Sequence, residues 1–294
     1  MEKSKVYYCQ NITKENLVKM YDLLGMKLPG KVAVKVHSGE EGNQNYLRPE
    51  FMEDIIKYVN GTVVECNTAY SGERNTSEKH LKTIEKHGWR MYNFDLLDEE
   101  EPDLVLPVRN GVHLHENYVG KNMANYDSML VISHFKGHPM GGYGGALKQL
   151  SIGCASSRGK AWIHSAGTNK DQYTLWNNLP EQNDFLESMA EAASSVVDYF
   201  HGKMVFINVM ANMSVDCDCC SVAEDPCMKD IGILISLDPV AIDKACIDLV
   251  KNSNDPGREH FMERVNSRNG IHTIDKAYEL GVGNIEYELI DVEV

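Results

Sequence analysis

Between Val131 and Ser165 the chain reads VISHFKGHPMGGYGGALKQLSIGCASSRGKAWIHS, and nowhere else are reactive side chains so dense. His134, Lys136 and His138 come first, then Gly141, Gly142, Gly144 and Gly145, then Lys148, Cys154, Arg158, Lys160 and His164. Neutral imidazole ligates metals or moves protons near neutral pH. A desolvated lysine can act as a nucleophile or hold a cofactor covalently, and a guanidinium grips a carboxylate through two parallel hydrogen bonds. Glycines let backbone amides approach a ligand, and a short helix over 144–152 would aim the amides near Gly144 and Gly145 at an anion. The run is not a P-loop, because Lys148 follows no glycine and precedes no Ser or Thr. We therefore expect His138, Lys148 and His164 to converge on one pocket as catalytic groups. Arg48, Arg74, His134, Lys136, Gly144 and Gly145 are then expected to bind a small carboxylate or phosphate.

A second concentration is sulfur. Of eight cysteines, Cys217, Cys219, Cys220 and Cys227 fall within eleven residues, interleaved with Asp216, Asp218 and Asp225. Thiolates favour zinc, copper(I) or iron. Neighbouring Cys219 and Cys220 cannot easily both face one ion, whereas Cys217 and Cys219 point the same way in extended chain. These two are expected to face Cys154 and share a metal. Cys9, Cys66 and Cys246 read as small buried hydrophobes.

The elements that must position these groups alternate. Thr13 caps a helix through Leu24 that Gly25 ends. Lys31–His37 alternates as a strand, Pro49 opens a helix to about Tyr58, and Thr62–Cys66 is the next strand. Ser77 caps a helix through His87. Strand, loop and helix in repetition define an α/β protein with mostly parallel sheets and flanking helices. Ligands bind at the carboxyl ends of such strands, which points to the loops His37–Arg48 and Asn67–Arg74. Leu104–His115 reads as a hairpin about Asn110-Gly111, with His113 and His115 as half-exposed strand residues. Further on come a helix over Pro180–Phe200, strands at Met204–Val209 and Ile231–Ile235, a helix from Asp238-Pro239 to Val250, a helix capped by Thr273, and a strand at Ile285–Val292. Two closely packed lobes, 1–125 and 126–294, are expected around one cleft.

The chain has 294 residues and a net charge of −14, which disfavours nucleic acid or an anionic membrane as main partner. No apolar run is long enough to span a bilayer, and MEKSKVYYCQN lacks the apolar core of a signal peptide. The expected location is cytoplasmic.

The runs SHFKGH (Ser133–His138), GGALKQLSIGCAS (Gly144–Ser156), DCDC (Asp216–Cys219), DIGILIS (Asp230–Ser236) and DPVAIDKA (Asp238–Ala245) resemble the domain-of-unknown-function 362 family. KVHSGEEGN with YLRP (Lys35–Pro49), the GK…HS of Gly159–Ser165 and LGVGNIEYELI (Leu280–Ile290) fit as well, so the likeness covers nearly the whole chain. Members are usually labelled iron–sulfur centre proteins, because many carry two C-x-x-C-x-x-C runs after the HS motif. Here Ala166–Gln182 holds no cysteine, so no ferredoxin-type 4Fe-4S cluster is expected. The order His138, Lys148, His164, after Arg48-Pro49, also looks like the nickel-pincer lactate racemases. That resemblance implies Lys148 anchoring a pyridinium-derived cofactor, His164 binding nickel and His138 moving protons.

The expected function is a metal- or cofactor-dependent enzyme (zinc, iron or nickel) performing redox or isomerisation chemistry on a small anion. The alternatives are a nickel-pincer racemase-like enzyme and a non-catalytic metal or electron-transfer protein working with a redox partner.

Overall fold

A computed structural model describes residues 3–100 and 103–293. Met1 and Glu2, which open the N-terminal segment read above, lie outside the described residues.

The chain begins with β1 (Ser4–Cys9) and α1 (Lys14–Leu23), whose cap is Thr13 accepting from the Asn16 amide, with Gly25 in a left-handed conformation beyond its end. β2 (Val32–Lys35), α2 (Pro49–Tyr58), β3 (Thr62–Glu65) and α3 (Ser77–Lys86) follow the expected alternation, and β4 (Phe94–Leu96), which was not expected, extends it. Thr76, one residue earlier than expected, caps α3. The hairpin is β5 (Leu104–Pro107) with β6 (Glu116–Val119). Its second strand starts only past His115, so His113 and His115 both lie in the connecting loop and not on a strand as expected. Then come β7 (Ser128–His134), β8 (Lys136–His138), β9 (Gly142–Gly144), α4 (Ala146–Lys148), α5 (Ser157–His164), α6 (Gln182–Phe200), β10 (Met204–Met210) and β11 (Gly232–Ser236). α7 (Pro239–Asn252) starts on the Asp238 cap, and α8 (Arg258–Ser267), α9 (His272–Glu279) and β12 (Tyr287–Asp291) close the chain. Thr273 does not cap α9 but sits buried within its first turn.

Eight strands form one sheet in the order β12-β1-β11-β10-β7-β2-β3-β4. Only β11 runs antiparallel to its neighbours, so the sheet is mostly parallel and the fold is α/β. Both chain halves, 1–125 and 126–294, contribute strands to it. Alternation splits β7 between two cores. Met129 and Val131 join the side covered by α6 and α7, while Leu130 and Ile132 join the side covered by α1 and α2. No described helix is long and apolar enough to cross a membrane.

Strand order reverses between β7 and β2, which are parallel neighbours. Outside the carboxyl ends at such a reversal the flanking loops part and leave a crevice. The loops after β2, β3, β7 and β10 all reach it.

Candidate active site

The crevice holds about 710 Å³ of space, its open mouth included, and is lined by His37, Arg74, His138, Lys148, Lys160, His164 and Cys219. Its apolar wall is Ala69, Pro139, Met140, Ile152 and Trp176. The three expected catalytic residues thus share one cavity. His138 ends β8, and Gly142 at φ +79 turns the chain so that β9 can pair back. Lys148 ends α4, where the backbone widens into a π-helical turn over Gln149–Gly153. Such turns interrupt the regular helical ladder and recur at functional sites. This one frees Gln149 to bridge Lys35 Nζ (3.2 Å) and the Ile132 carbonyl (3.3 Å). His164 ends α5, stacked on Phe185 with ring centroids 4.9 Å apart, and its buried Nδ1 lacks a hydrogen-bond partner among the described residues.

The thiol loop after β10 is held over the crevice from the other side. Asn43, Gln44 and Asn45 donate side-chain hydrogen bonds to the carbonyls of Cys220, Ala223 and Glu224. The Glu40 amide donates to the Asp218 carbonyl at 2.8 Å. These contacts bring Cys217 and Cys219 to His138, so that one donor atom from each lies within 4.8 Å of the other two. Lys148 Nζ is 3.7 Å from Cys217 Sγ. Burial pushes the Cys217 thiol up, but the Cys219 contact and then Lys148 and Lys136 bring it well below the usual thiol range. Cys217 is therefore the thiol that ionises first. Cys219 is pushed up by its contacts with Cys217 and Cys220 and by burial.

His138 Nδ1 accepts from the amides of Met140 (3.1 Å) and Gly141 (2.8 Å). A neutral imidazole with Nδ1 so engaged carries its proton on Nε2, which points to Cys219 Sγ at 3.9 Å. Burial, and after it Lys148, lowers the His138 pKa to about 4. Burial, then the charges of His138 and Lys148, lowers that of His164 to about 3. Both rings are neutral at pH 7.

Several expected binding residues have other partners. Arg74 lines the cavity, but its guanidinium faces Glu40 (3.4 Å) and Glu65 (3.6 Å). Lys136 pairs with Asp218 at 2.8 Å, and His134 holds the same carboxylate at 2.9 Å. Burial opposes ionisation of Asp218, yet the charges of His134 and Lys136 keep it well below the usual carboxylate range. Arg48 lies outside the cavity, exposed, where the Tyr46 ring at 3.9 Å and the Gln44 carbonyl at 2.9 Å hold its guanidinium. Cys154 does not join the thiols. It is buried in the core under the sheet, where burial pushes its thiol up to about 11.

The expected anion site at Gly144 and Gly145 is already filled from within. The amides of Ala146 and Leu147 donate to the Asp243 carboxylate of α7 at 2.7 and 3.0 Å. A Cβ on Gly145 would lie 2.4 Å from Asp243 Oδ1. Glycine is required there by an internal carboxylate and not by a ligand.

The loops His37–Arg48 and Asn67–Arg74 both reach the cavity, and His37, Glu65, Tyr70 and Trp176, which line it, were not singled out from the sequence. His37, just past β2, had a signal in its place beyond a strand's carboxyl end. Trp176 had none, since only folding brings its indole N–H to the Ala69 carbonyl at 3.1 Å.

The molecule is thus an α/β protein with a charged cleft at the carboxyl ends of its central strands. It belongs to the family described as domain of unknown function (DUF362), whose model matches residues 32–248. No curated protein matches the chain. Among solved structures it is similar to the lactate racemase apoprotein from Thermoanaerobacterium thermosaccharolyticum, with 15% identity, a TM-score of 0.42 and coverage of 69% of this chain and 50% of that one. It is also similar to a structural-genomics target from Thermotoga maritima, with 14% identity, a TM-score of 0.37 and coverage of 90% and 58%. The chain therefore spans about half the length of these structures, and likenesses this distant leave the site to be argued from its own geometry.

Proposed function

We propose that the protein is a metal-dependent enzyme acting on a small organic anion, with the metal held by the Cys217 and Cys219 thiolates. The convergence of these thiols with His138 at the wall of a cavity that also holds Lys148 and His164 carries this reading. Two neighbouring thiolates form a soft donor pair of the kind that suits zinc and would leave positions open for substrate or water. A bound divalent ion would supply Lewis-acid polarisation of a substrate oxygen. His138, with its proton on Nε2, suits a neutral hydrogen-bond donor to the bound anion better than a ligand. A ligating histidine normally donates its other N–H outward, whereas here Nδ1 accepts two amides. Metal analysis of wild type, the Cys217→Ser, Cys219→Ser double variant and His138→Gln tests this. Loss of metal in the double variant with retention in His138→Gln is expected. Metal content unchanged by the double variant would refute it.

A second reading, a cofactor anchored on Lys148 with nickel on His164, is favoured by the buried, unpartnered Nδ1 of His164 in the same cavity. Intact-mass measurement of the purified protein separates the two, since only this one requires a covalent adduct that Lys148→Ala abolishes.

A further inference from the structure

Five cationic side chains surround the floor of the cleft: Lys35, Arg74, Lys136, Lys148 and Lys160. Three buried carboxylates pair with three of them. Lys35 meets Glu65 at 3.3 Å, Arg74 meets Glu40 and Glu65, and Lys136 meets Asp218. Lys160 donates to the Ala155 carbonyl at 2.6 Å and feels the charge of Asp98. Lys160 thus has a carbonyl acceptor in place of a paired carboxylate, and Lys148 has no oxygen acceptor of either kind among the described residues. Its ammonium group meets only the Cys217 sulfur. The present inference rests on the metal-centre reading at one step. When a divalent ion neutralises the two thiolates, Lys148 loses that partner, and one positive charge is left over. Lys148 is half-buried, and at such a partly desolvated wall an unmatched charge, or a second negative charge against a single positive one, is disfavoured.

The other half of the cavity wall is apolar. Trp176 is pinned by its indole N–H across the cleft to the loop after β3, yet it remains 40% exposed. Its ring stands 5.3 Å from that of His164, centroid to centroid. Met140 and Ile152 complete this wall. An indole fixed in place and still wet is a platform for apolar surface, because covering it removes that surface from water without ordering the side chain afresh.

We infer that the cleft selects a monocarboxylate with an apolar body, its carboxylate held by Lys148 Nζ and His138 Nε2–H and its body laid against Trp176, Met140 and Ile152. A doubly charged phosphate group fits poorly. It has no second free cation to meet, and the backbone amides that could have served it at α4 are committed to Asp243.

Calorimetric titration of the full chain as purified, with phenylacetate, acetate and inorganic phosphate, tests this. Phenylacetate should bind at least tenfold more tightly than acetate, and phosphate more weakly than either. Trp176→Ala should cut the phenylacetate preference at least fivefold while leaving acetate unchanged, and Trp176→Phe, which keeps a ring, should retain most of it. Lys148→Met should weaken both acids. Tighter binding of phosphate than of phenylacetate, an unchanged preference in Trp176→Ala, or no binding of either acid overturns the inference. A metal-free protein that keeps the phenylacetate preference would instead refute the metal centre and leave the selectivity standing, so the two failures are distinguishable.

Discussion

Two clusters in this molecule have the residue types and spacing of a metal site, and they differ in what already satisfies them. His113, Glu187 and Glu191 bring donor atoms within 4.8 Å of one another, as His138, Cys217 and Cys219 do. In the first cluster every carboxylate oxygen is engaged by the chain itself. Glu187 takes His113 Nε2 at 3.2 Å, His272 Nε2 at 2.9 Å and Lys276 at 3.4 Å. Glu191 accepts the amides of Val112 and Leu114, each at 2.7 Å, and that of His113. This cluster is a clasp that fastens the hairpin loop and α9 onto α6. In the thiol cluster Cys217 Sγ takes only the Cys219 amide at 3.3 Å and Lys148 at a long 3.7 Å, and Cys219 Sγ faces sulfur and an imidazole 3.9 Å away. Unmet bonding capacity, more than residue type, distinguishes a site from a strut.

The comparison can be broken most easily at the clasp. Glu191→Ala leaves the buried Leu114 amide and the part-buried amides of Val112 and His113 without their acceptor, and with a buried unsatisfied group costing about 1–3 kcal/mol, we expect about 3 kcal/mol of stability to be lost with metal content unchanged. Urea unfolding with parallel metal analysis reads both, and a loss below about 1 kcal/mol would mean the clasp is not needed.

Acid should separate the two regions next. The folded-state pKa of His164, about 3, lies below its ordinary 6.5, so the unfolded chain takes up the proton first. Its contribution is complete above pH 6.5 and drains away toward pH 3, with about 2 kcal/mol gone by pH 5. Burial pushes the Glu187 carboxyl up, but hydrogen bonds from His272 and His113 bring it below 4.5, so the clasp loses stability only under pH 4.5. Unfolding free energies of metal-free wild type and His164→Phe, compared at pH 7 and pH 5, should show the wild type alone losing this share. An equal loss in the two proteins would show that His164 is not the group responsible.

The Cys217→Ser, Cys219→Ser double variant should cost the metal-free protein about 1 kcal/mol, because the Cys217–Lys148 contact it removes is only part-buried. A loss comparable to that of Glu191→Ala would make the thiol cluster a second strut. The smallest effect belongs to Arg48→Ala. Its stacking over Tyr46 is exposed, so about 0.5 kcal/mol or less is expected, with acetate and phenylacetate affinities untouched. A tenfold loss of affinity would return Arg48 to the cleft.

Much of the scaffold was legible because its signals are local. Thr13, Pro49, Asp238 and the glycine after α1 act through backbone groups within a few residues, and each marks the boundary expected of it. β1 and α8 escaped the reading. β1 is a polar-looking SKVYYC whose strand character comes from being flanked by β11 and β12, partners more than two hundred residues away. The π-helical turn escaped too, since nothing in GGALKQLSIG distinguishes it from a regular helix.

By itself the sequence determined which side chains could do chemistry and that an α/β sheet would carry some of them at its strand ends, because hydrophobic period, caps and glycine stops depend only on near neighbours. Which of these side chains remained free was decided only by the tertiary structure. Asp243 reaches the α4 amides from 97 residues away, Glu40 and Glu65 engage Arg74, and Asp218 takes Lys136. Lys160 is taken up by the Ala155 carbonyl, and Lys148 keeps neither a carboxylate nor a carbonyl among the described residues. Buried charges and amides must find partners wherever the fold brings them, and those partners, remote in the chain, set what is left over for a ligand.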